Sequence, residues 1–108
     1  DTGAGITLVD ETYGDFFELK IEEQDSGITA TGAGGSGLKI STSLKNKIKM
    51  ENFSIDEFSI SLMNLSHVNE GLKQLGIEEP VMGVIGADLL KAGKAIIDYS
   101  ALTLYLLN

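Results

Sequence analysis

The residues of this sequence that could carry chemistry lie at its start, in Asp1-Thr2-Gly3-Ala4-Gly5. This pattern predicts an acid on a tight turn, which is by itself a common structural feature. Two such carboxylates held close together share one proton, because both cannot be ionised at that separation. The ionised member can take a proton from water while the protonated member polarises a carbonyl group. Asp-Thr-Gly occurs once in the sequence, so this chemistry would need two copies of the chain.

Two later stretches add to this interpretation. Ala30-Thr31-Gly32-Ala33-Gly34-Gly35-Ser36-Gly37 lies between β-prone segments and predicts a glycine-tipped hairpin. Small residues that tolerate positive φ would let such a hairpin bend over a ligand at close range. The segment Gly83–Leu90 reads as an apolar strand, a glycine and the start of a short helix.

The glycine run has two other interpretations. It formally matches the dinucleotide fingerprint G-x-G-x-x-G, with Asp56 near the place of a ribose-binding acid. That motif must open a helix, whereas the residues after Gly37 are β-branched and hydroxylic, and Leu38 stands where a phosphate loop has lysine. An ordinary flexible hairpin tip is the simpler alternative.

Composition argues against several classes of function. The net charge is −8 and all eight cations are lysines, so nucleic acid is not an expected partner. The sequence has no cysteine and one histidine, His67, which argues against a zinc site, and no nucleophile-elbow motif accompanies that histidine. No apolar run approaches the roughly 20 residues of a membrane helix. We therefore expect neither a metal nor membrane insertion.

Apolar alternation and turn residues predict a mainly β chain. The predicted strands are Phe17–Ile21, Ile28–Thr31, Leu38–Thr42, Ile48–Phe53, Phe58–Leu62, Val81–Ile85, Ala95–Tyr99 and Leu102–Leu106. The last two would form a hairpin across Ser100-Ala101, and turn residues predict another turn at Asp25-Ser26-Gly27. Helical spacing predicts one helix from Ser66, as its N-cap, to Gly76, and a shorter one over Ala87–Lys91. Together these elements predict a closed β-barrel with one or two short helices.

The acid turn, the glycine-tipped hairpin and the segment Gly83–Leu90, in that order, resemble the retropepsin-like aspartic proteases. The resemblance covers nearly the whole chain, and Val84-Ile85-Gly86 followed directly by a short helix is its most specific part. It implies a barrel lobe that acts as a homodimer on a peptide or protein, without metal or organic cofactor. Residues 1–108 would be a single such domain that lacks the strands preceding the acid turn in family members.

The resemblance also implies the site residues. Asp1 would form the dyad with its counterpart, the Thr2 hydroxyl would reach the backbone of the partner's turn, and Gly3 would allow the tight turn. Val84 and Ile85 would be buried beneath that turn. The residues that contact substrate, with the hairpin as a flap, would be Ala4, Gly5, Gly32, Ala33, Gly34, Gly35, Ser36 and Ile85.

The sequence departs from viral members at two places. These members often carry an acid two residues after Asp-Thr-Gly and an arginine after the apolar-apolar-Gly, where this chain has Gly5 and Ala87. Losing both partners of a buried ion pair can be nearly neutral, so their joint absence fits a variant of the family. The sequence resembles the bacterial single-domain type, whose members often show Asp-Thr-Gly-Ala and a Gly-Ala-Gly-Gly flap. A non-catalytic module of the same fold, which dimerises or binds peptides, is the alternative function. The apolar residues expected to form the dimer contact are Ile96, Leu102, Leu104 and Leu106.

Overall fold

The computed structural model describes residues 1–21, 23–32 and 35–108, with side chains described in 1–21 and 39–108. This part of the chain is mainly β, with two α-helices and one 3-10 helix. The strands are β1 (Leu8–Asp10), β2 (Glu23–Gly32), β3 (Gly35–Met50), β4 (Phe53–Met63), β5 (Gly83–Val84), β6 (Ile96–Asp98) and β7 (Thr103–Tyr105). The helices are the 3-10 helix Glu11–Tyr13, α1 (Ser66–Gln74) and α2 (Ala87–Ala92).

Within the described residues, the strands form two separate sheets. The larger has the order β2-β3-β4-β1-β5, and the smaller consists of β6 and β7. Strand β1 runs parallel to β4 and antiparallel to β5, so it lies inside the larger sheet. The mainly β architecture with two helices is as predicted, but neither sheet of the described residues is closed into a barrel. The five strands end in two separate edges, β2 and β5, that do not pair with each other.

Strands β3 and β4 form a longer hairpin than alternation predicted. The expected strand Ile48–Phe53 is interrupted by a turn at Glu51 and Asn52, with Glu51 at a φ of 51° and Met50 paired with Phe53. Register shifts near Asn46 make the hairpin irregular. There the Asn46 amide donates to two carbonyl oxygens, those of Ser43 and Phe58, which supports the backbone where the regular ladder fails.

The predicted strand Phe17–Ile21 is wrong. Residues 14–18 form successive turns, in which the Phe17 N–H donates to the Tyr13 carbonyl and the Leu19 N–H donates to that of Gly14. Glu18 has a φ of 56°, which closes this local arrangement. The alternating apolar side chains therefore do not form the buried face of a strand. Phe17 is 44% exposed, and its ring contacts that of Phe16 edge to face.

Three predicted boundaries also need correction. Asp25–Gly27 does not turn the chain, because it lies within β2 where the register against β3 shifts. Ser66 is the first residue of α1 and not its N-cap. Its backbone N–H donates to the side-chain oxygen of Asn64. The last hairpin turns over Tyr99–Leu102, with Leu102 at a φ of 51°, a wider turn than the predicted Ser100-Ala101.

The core of the described residues forms where β1, β4 and α1 meet. Leu8 from β1, Met63 from the end of β4 and Leu65 just before α1 are buried together. Val68 of α1 and Val84 of β5 pack against this cluster. Because β1 follows the first residues of the chain directly, this core fixes the strand that leads away from the acid turn.

Candidate functional site

The first four residues form the predicted tight turn. The Ala4 N–H donates to the Asp1 carbonyl at 3.1 Å, and the Gly3 N–H donates to Asp1 Oδ1 at 2.8 Å. A Cβ on Gly3 would lie 3.2 Å from Asp1 Oδ1, so glycine allows the carboxylate to approach its own turn closely. Asp1 is exposed, and its carboxylate is oriented by a backbone donor.

Two backbone hydrogen bonds hold the turn against the segment before α2. The amino nitrogen of Asp1 donates to the Ile85 carbonyl at 2.7 Å, and the Ala87 N–H donates to the Ala4 carbonyl at 2.7 Å. A Cβ on Gly86 would lie 2.3 Å from the carbonyl carbon of Ile6, so the two backbones touch there. The segment Val84-Ile85-Gly86 therefore lies directly beside the acid turn.

Val84 and Ile85 are less buried than expected, since both are half-buried. Val84 packs on the core cluster, while Ile85 lines an apolar cleft of about 450 Å³ together with Leu8, Ile48, Ile60 and Leu89. Ile85 therefore reaches the acid turn through its carbonyl and the cleft through its side chain.

A side-chain hydrogen-bond chain reinforces the same junction. Thr7 is 7% exposed, and its hydroxyl donates to Asp88 Oδ1 at 2.7 Å while accepting from the Gly86 N–H at 3.0 Å. Asp88 Oδ1 also accepts from the Leu89 N–H. Neither Thr7 nor Asp88 was singled out from the sequence. No local pattern could reveal a contact between residues 81 positions apart.

Thr2 lies on the other side of the turn. Its side chain is exposed and lines a recess of about 300 Å³ together with Leu90 and Lys91 of α2, Lys94, Ala95 and Ile97. Thr2 therefore lies next to the surface of α2 and β6.

The glycine-rich hairpin has the predicted connectivity. Gly32 of β2 pairs with Gly35 of β3, and Ser36 continues β3, while Ala33 and Gly34 lie outside the described residues. No backbone hydrogen bond of the described residues joins this hairpin to the acid turn. The structure thus brings Asp1–Gly5 together with Ile85, and Gly32, Gly35 and Ser36 form a separate element.

The hairpin of β6 and β7 leaves apolar side chains exposed on both of its faces, because Ile96 pairs with Tyr105 while Leu104 pairs with Ile97. Ile96 is 65% exposed, Leu102 is 90% exposed and Leu104 is 41% exposed. Leu106 differs from these three, because it is half-buried and packs against Gly93, whose hypothetical Cβ would meet Leu106 at 2.8 Å. Exposed apolar side chains grouped on one short hairpin suggest a contact site.

Asp98, at the end of β6, accepts several hydrogen bonds from the turn that follows it. Hydrogen bonds from the Ser100 hydroxyl, and then from the Ala101 and Ser100 N–H groups, lower the pKa of Asp98. Among the residues described, no three His, Cys, Asp or Glu side chains are placed to hold a metal ion. In the same part of the chain, none of the helices has the length and apolar character needed to cross a membrane.

The fold defined by these elements is that of a retropepsin-like domain, as comparison with solved structures shows. One similar structure is the crystal structure of the retroviral protease-like domain of Ddi1 from Leishmania major, with a TM-score of 0.64 and 14% sequence identity. The match covers 100% of this chain and 75% of that chain. No family model matches the sequence, and no curated protein matches it. At this identity the likeness concerns the fold, which is mainly β with two helices.

Proposed function

We propose that the chain is an aspartic endopeptidase whose site is formed by the Asp1 residues of two identical chains. The observation that carries this proposal is an exposed Asp1 carboxylate that accepts from the Gly3 N–H, on a tight turn whose Asp1 amino nitrogen donates to the Ile85 carbonyl. The retropepsin-like fold supports it, and so does the position of the turn beside Val84-Ile85-Gly86. In this proposal residues 1–108 act as a single domain.

The proposed reaction is hydrolysis by water. One Asp1 carboxylate takes a proton from water as the water oxygen bonds to the peptide carbonyl carbon, and the protonated partner gives its proton to the carbonyl oxygen. As the C–N bond of the tetrahedral intermediate breaks, the amine nitrogen takes the proton that the first Asp1 had removed from water. One hydroxyl group of the intermediate returns its proton to the second Asp1, which leaves a carboxylic acid product and a dyad that again holds one proton. These steps use carboxyl groups alone, so the proposal includes neither metal nor organic cofactor.

The proposed homodimer uses the apolar hairpin of β6 and β7. Ile96 and Leu104, which lie on opposite faces of this hairpin, and Leu102 in its turn would become buried against a partner that packs around the hairpin. The edges of the short two-stranded sheet would also gain a neighbour. Leu106 contributes less than the sequence indicated, because it already packs against Gly93. Thr2, which lies at the recess beside this surface, would reach the partner's turn from there.

Substrate would lie between the acid turn and the hairpin of β2 and β3. Ala4, Gly5 and Ile85 are placed at the turn, and Gly32, Gly35 and Ser36 would approach from the flap. Ala33 and Gly34 belong to the same proposed flap and lie outside the described residues. A protein or peptide is the proposed substrate, because an extended strand can pair with a hairpin edge.

The exposed hairpin also suits a non-catalytic module that dimerises or binds peptides. Asp1→Asn separates the two functions, since the amide keeps an oxygen that can accept from the Gly3 N–H but cannot take a proton from water. We expect the purified Asp1→Asn protein to keep its fold and dimer while losing peptide hydrolysis. Wild-type turnover by that variant would refute the dyad, and a wild-type dimer without any hydrolysis would favour the module.

A further inference from the structure

The buried hydroxyl of Thr7 joins two segments that meet at the proposed site. Thr7 lies just after the acid turn, at the start of the segment that leads into β1. Asp88 lies in the first turn of α2. The hydroxyl is 2.7 Å from Asp88 Oδ1 and 3.0 Å from the Gly86 nitrogen. A second donor, the Leu89 N–H, holds the same carboxylate oxygen at 2.7 Å.

The direction of each hydrogen bond in this chain is fixed by the groups involved. The Gly86 N–H can only donate, so Thr7 Oγ1 must accept from it. The single hydroxyl hydrogen of Thr7 is then left for Asp88 Oδ1. A hydroxyl is therefore required at position 7 and an acceptor at position 88. A side chain of the same shape without these groups would leave the Gly86 N–H unpaired at a buried position.

This hydrogen-bond chain lies next to the two backbone bonds that anchor the acid turn. Those bonds, from Asp1 to Ile85 and from Ala87 to Ala4, can form with almost any sequence. The Thr7–Asp88 contact differs because it depends on side-chain identity. It acts on the same backbone, since Gly86 lies between the carbonyl and the N–H that those two bonds use.

We propose that Thr7 and Asp88 are positioning residues, which hold the segment Ile85–Ala87 so that the acid turn keeps the orientation of Asp1 needed for hydrolysis. The proposal rests on the proposed function and adds two residues that do not touch the reacting groups. Opposed carboxylates must be held accurately, because misplacement of a reacting group by about 1 Å can lower a rate by about a hundredfold. The hydrogen-bond chain would supply that accuracy from outside the turn.

The principal test compares Thr7→Val, which removes the hydroxyl and keeps the shape, with Thr7→Ser, which keeps the hydroxyl. For Thr7→Val we expect kcat on a peptide substrate to fall by about tenfold or more while KM changes little, because orientation at the reacting atoms is what is lost. Thr7→Ser should restore most of kcat. Wild-type kcat in Thr7→Val, or a loss that Thr7→Ser does not rescue, would overturn the proposal.

A second measurement does not depend on activity. Amide hydrogen exchange at Gly3, Ala4 and Ala87 reports the bonds of the turn and its anchor. We expect Thr7→Val to speed exchange at these amides but not in the hairpin of β3 and β4, and Thr7→Ser to leave it unchanged. Equal acceleration throughout the molecule would indicate a general loss of stability and contradict the proposal.

The same two measurements on Asp88 make the test independent of one variant. Asp88→Asn keeps an acceptor for the Thr7 hydroxyl, whereas Asp88→Leu has similar shape and no acceptor. If Thr7→Val does not fold, the proposal requires Asp88→Leu to lose kcat and exchange protection while Asp88→Asn keeps both. A wild-type protein without hydrolysis would refute the proposed function, and the exchange pattern would still decide whether the residues lock the turn.

Discussion

Replacing Gly86 with alanine should disrupt the junction between the acid turn and the segment before α2. The added Cβ would lie 2.3 Å from both the carbonyl carbon and oxygen of Ile6, and 2.8 Å from the Thr7 nitrogen. These are backbone atoms, so no side chain can rotate to make room. Gly86 has φ −98° and ψ 179°, which alanine adopts easily, so the penalty is steric and not torsional.

The expected cost follows from two contributions. Forcing an extra methyl group into a packed site costs about 1–3 kcal/mol. Moving the segment away to relieve the contact would weaken the hydrogen bonds from Asp1 to Ile85 and from Ala87 to Ala4, each worth about 0.5–1.5 kcal/mol. Gly86→Ala should therefore lower the free energy of unfolding by about 2–6 kcal/mol, a large part of the 5–15 kcal/mol of a typical domain.

Urea denaturation at fixed protein concentration measures this change, with Gly71→Ala as the matched control. Gly71 lies within α1, and a Cβ there would meet nothing within 4 Å. The same substitution should stabilise the protein at that position by about 0.5–1 kcal/mol, because alanine is the better helix former. A Gly86→Ala protein within about 0.5 kcal/mol of wild type would show that the junction is not tightly packed.

Three other predictions concern different parts of the molecule. Asn69→Ala should lower the free energy of unfolding by about 1–3 kcal/mol, because the side-chain amide of Asn69 pairs with both the N–H and the carbonyl of Val81. Urea denaturation measures this change, and an unchanged midpoint would contradict it. Asp98→Ala should destabilise the protein at neutral pH, because the Ser100 hydroxyl lowers the pKa of Asp98 and so stabilises its ionised form. That contribution is full above the ordinary value of 3.8 and is lost as pH falls through the lowered pKa. The difference in unfolding free energy between wild type and variant should therefore begin to shrink below 3.8 and reach its minimum below the lowered pKa. The proposed dimer should weaken as pH rises, because an Asp1 pair holds a proton that separated chains have lost. Sedimentation at high salt, where surface repulsion is screened, should show that the dissociation constant increases with pH in wild type and not in Asp1→Asn.

The sequence predicted the features of the site that depend on short-range chemistry. Asp1-Thr2-Gly3 forms the expected turn because glycine admits the carboxylate close to the backbone. The glycine run produces the expected hairpin connection between Gly32 and Gly35. The helix that follows Gly86 begins at Ala87 and ends before Gly93, as the pattern of small residues indicated.

The errors arise where long-range packing or local bonding overrides alternation. Phe17–Ile21 alternates as a strand does, but bonds such as that from the Leu19 N–H to the Gly14 carbonyl form a compact turn instead. Closure of a barrel depends on how sheet edges meet in space, which no periodicity records. The Thr7–Asp88 contact joins distant residues whose local surroundings are unremarkable, so it could be found only from the structure.

The central claim is that two Asp1 carboxylates, one from each chain, form a single active site. Mixing wild type with Asp1→Asn at constant total concentration, followed by re-equilibration of the dimers, tests it most directly. If both carboxylates are required, activity follows the square of the wild-type fraction, so an equal mixture should retain about a quarter of the wild-type activity. An equal mixture that retains about half would mean that each chain works without its partner's Asp1, and would contradict the account.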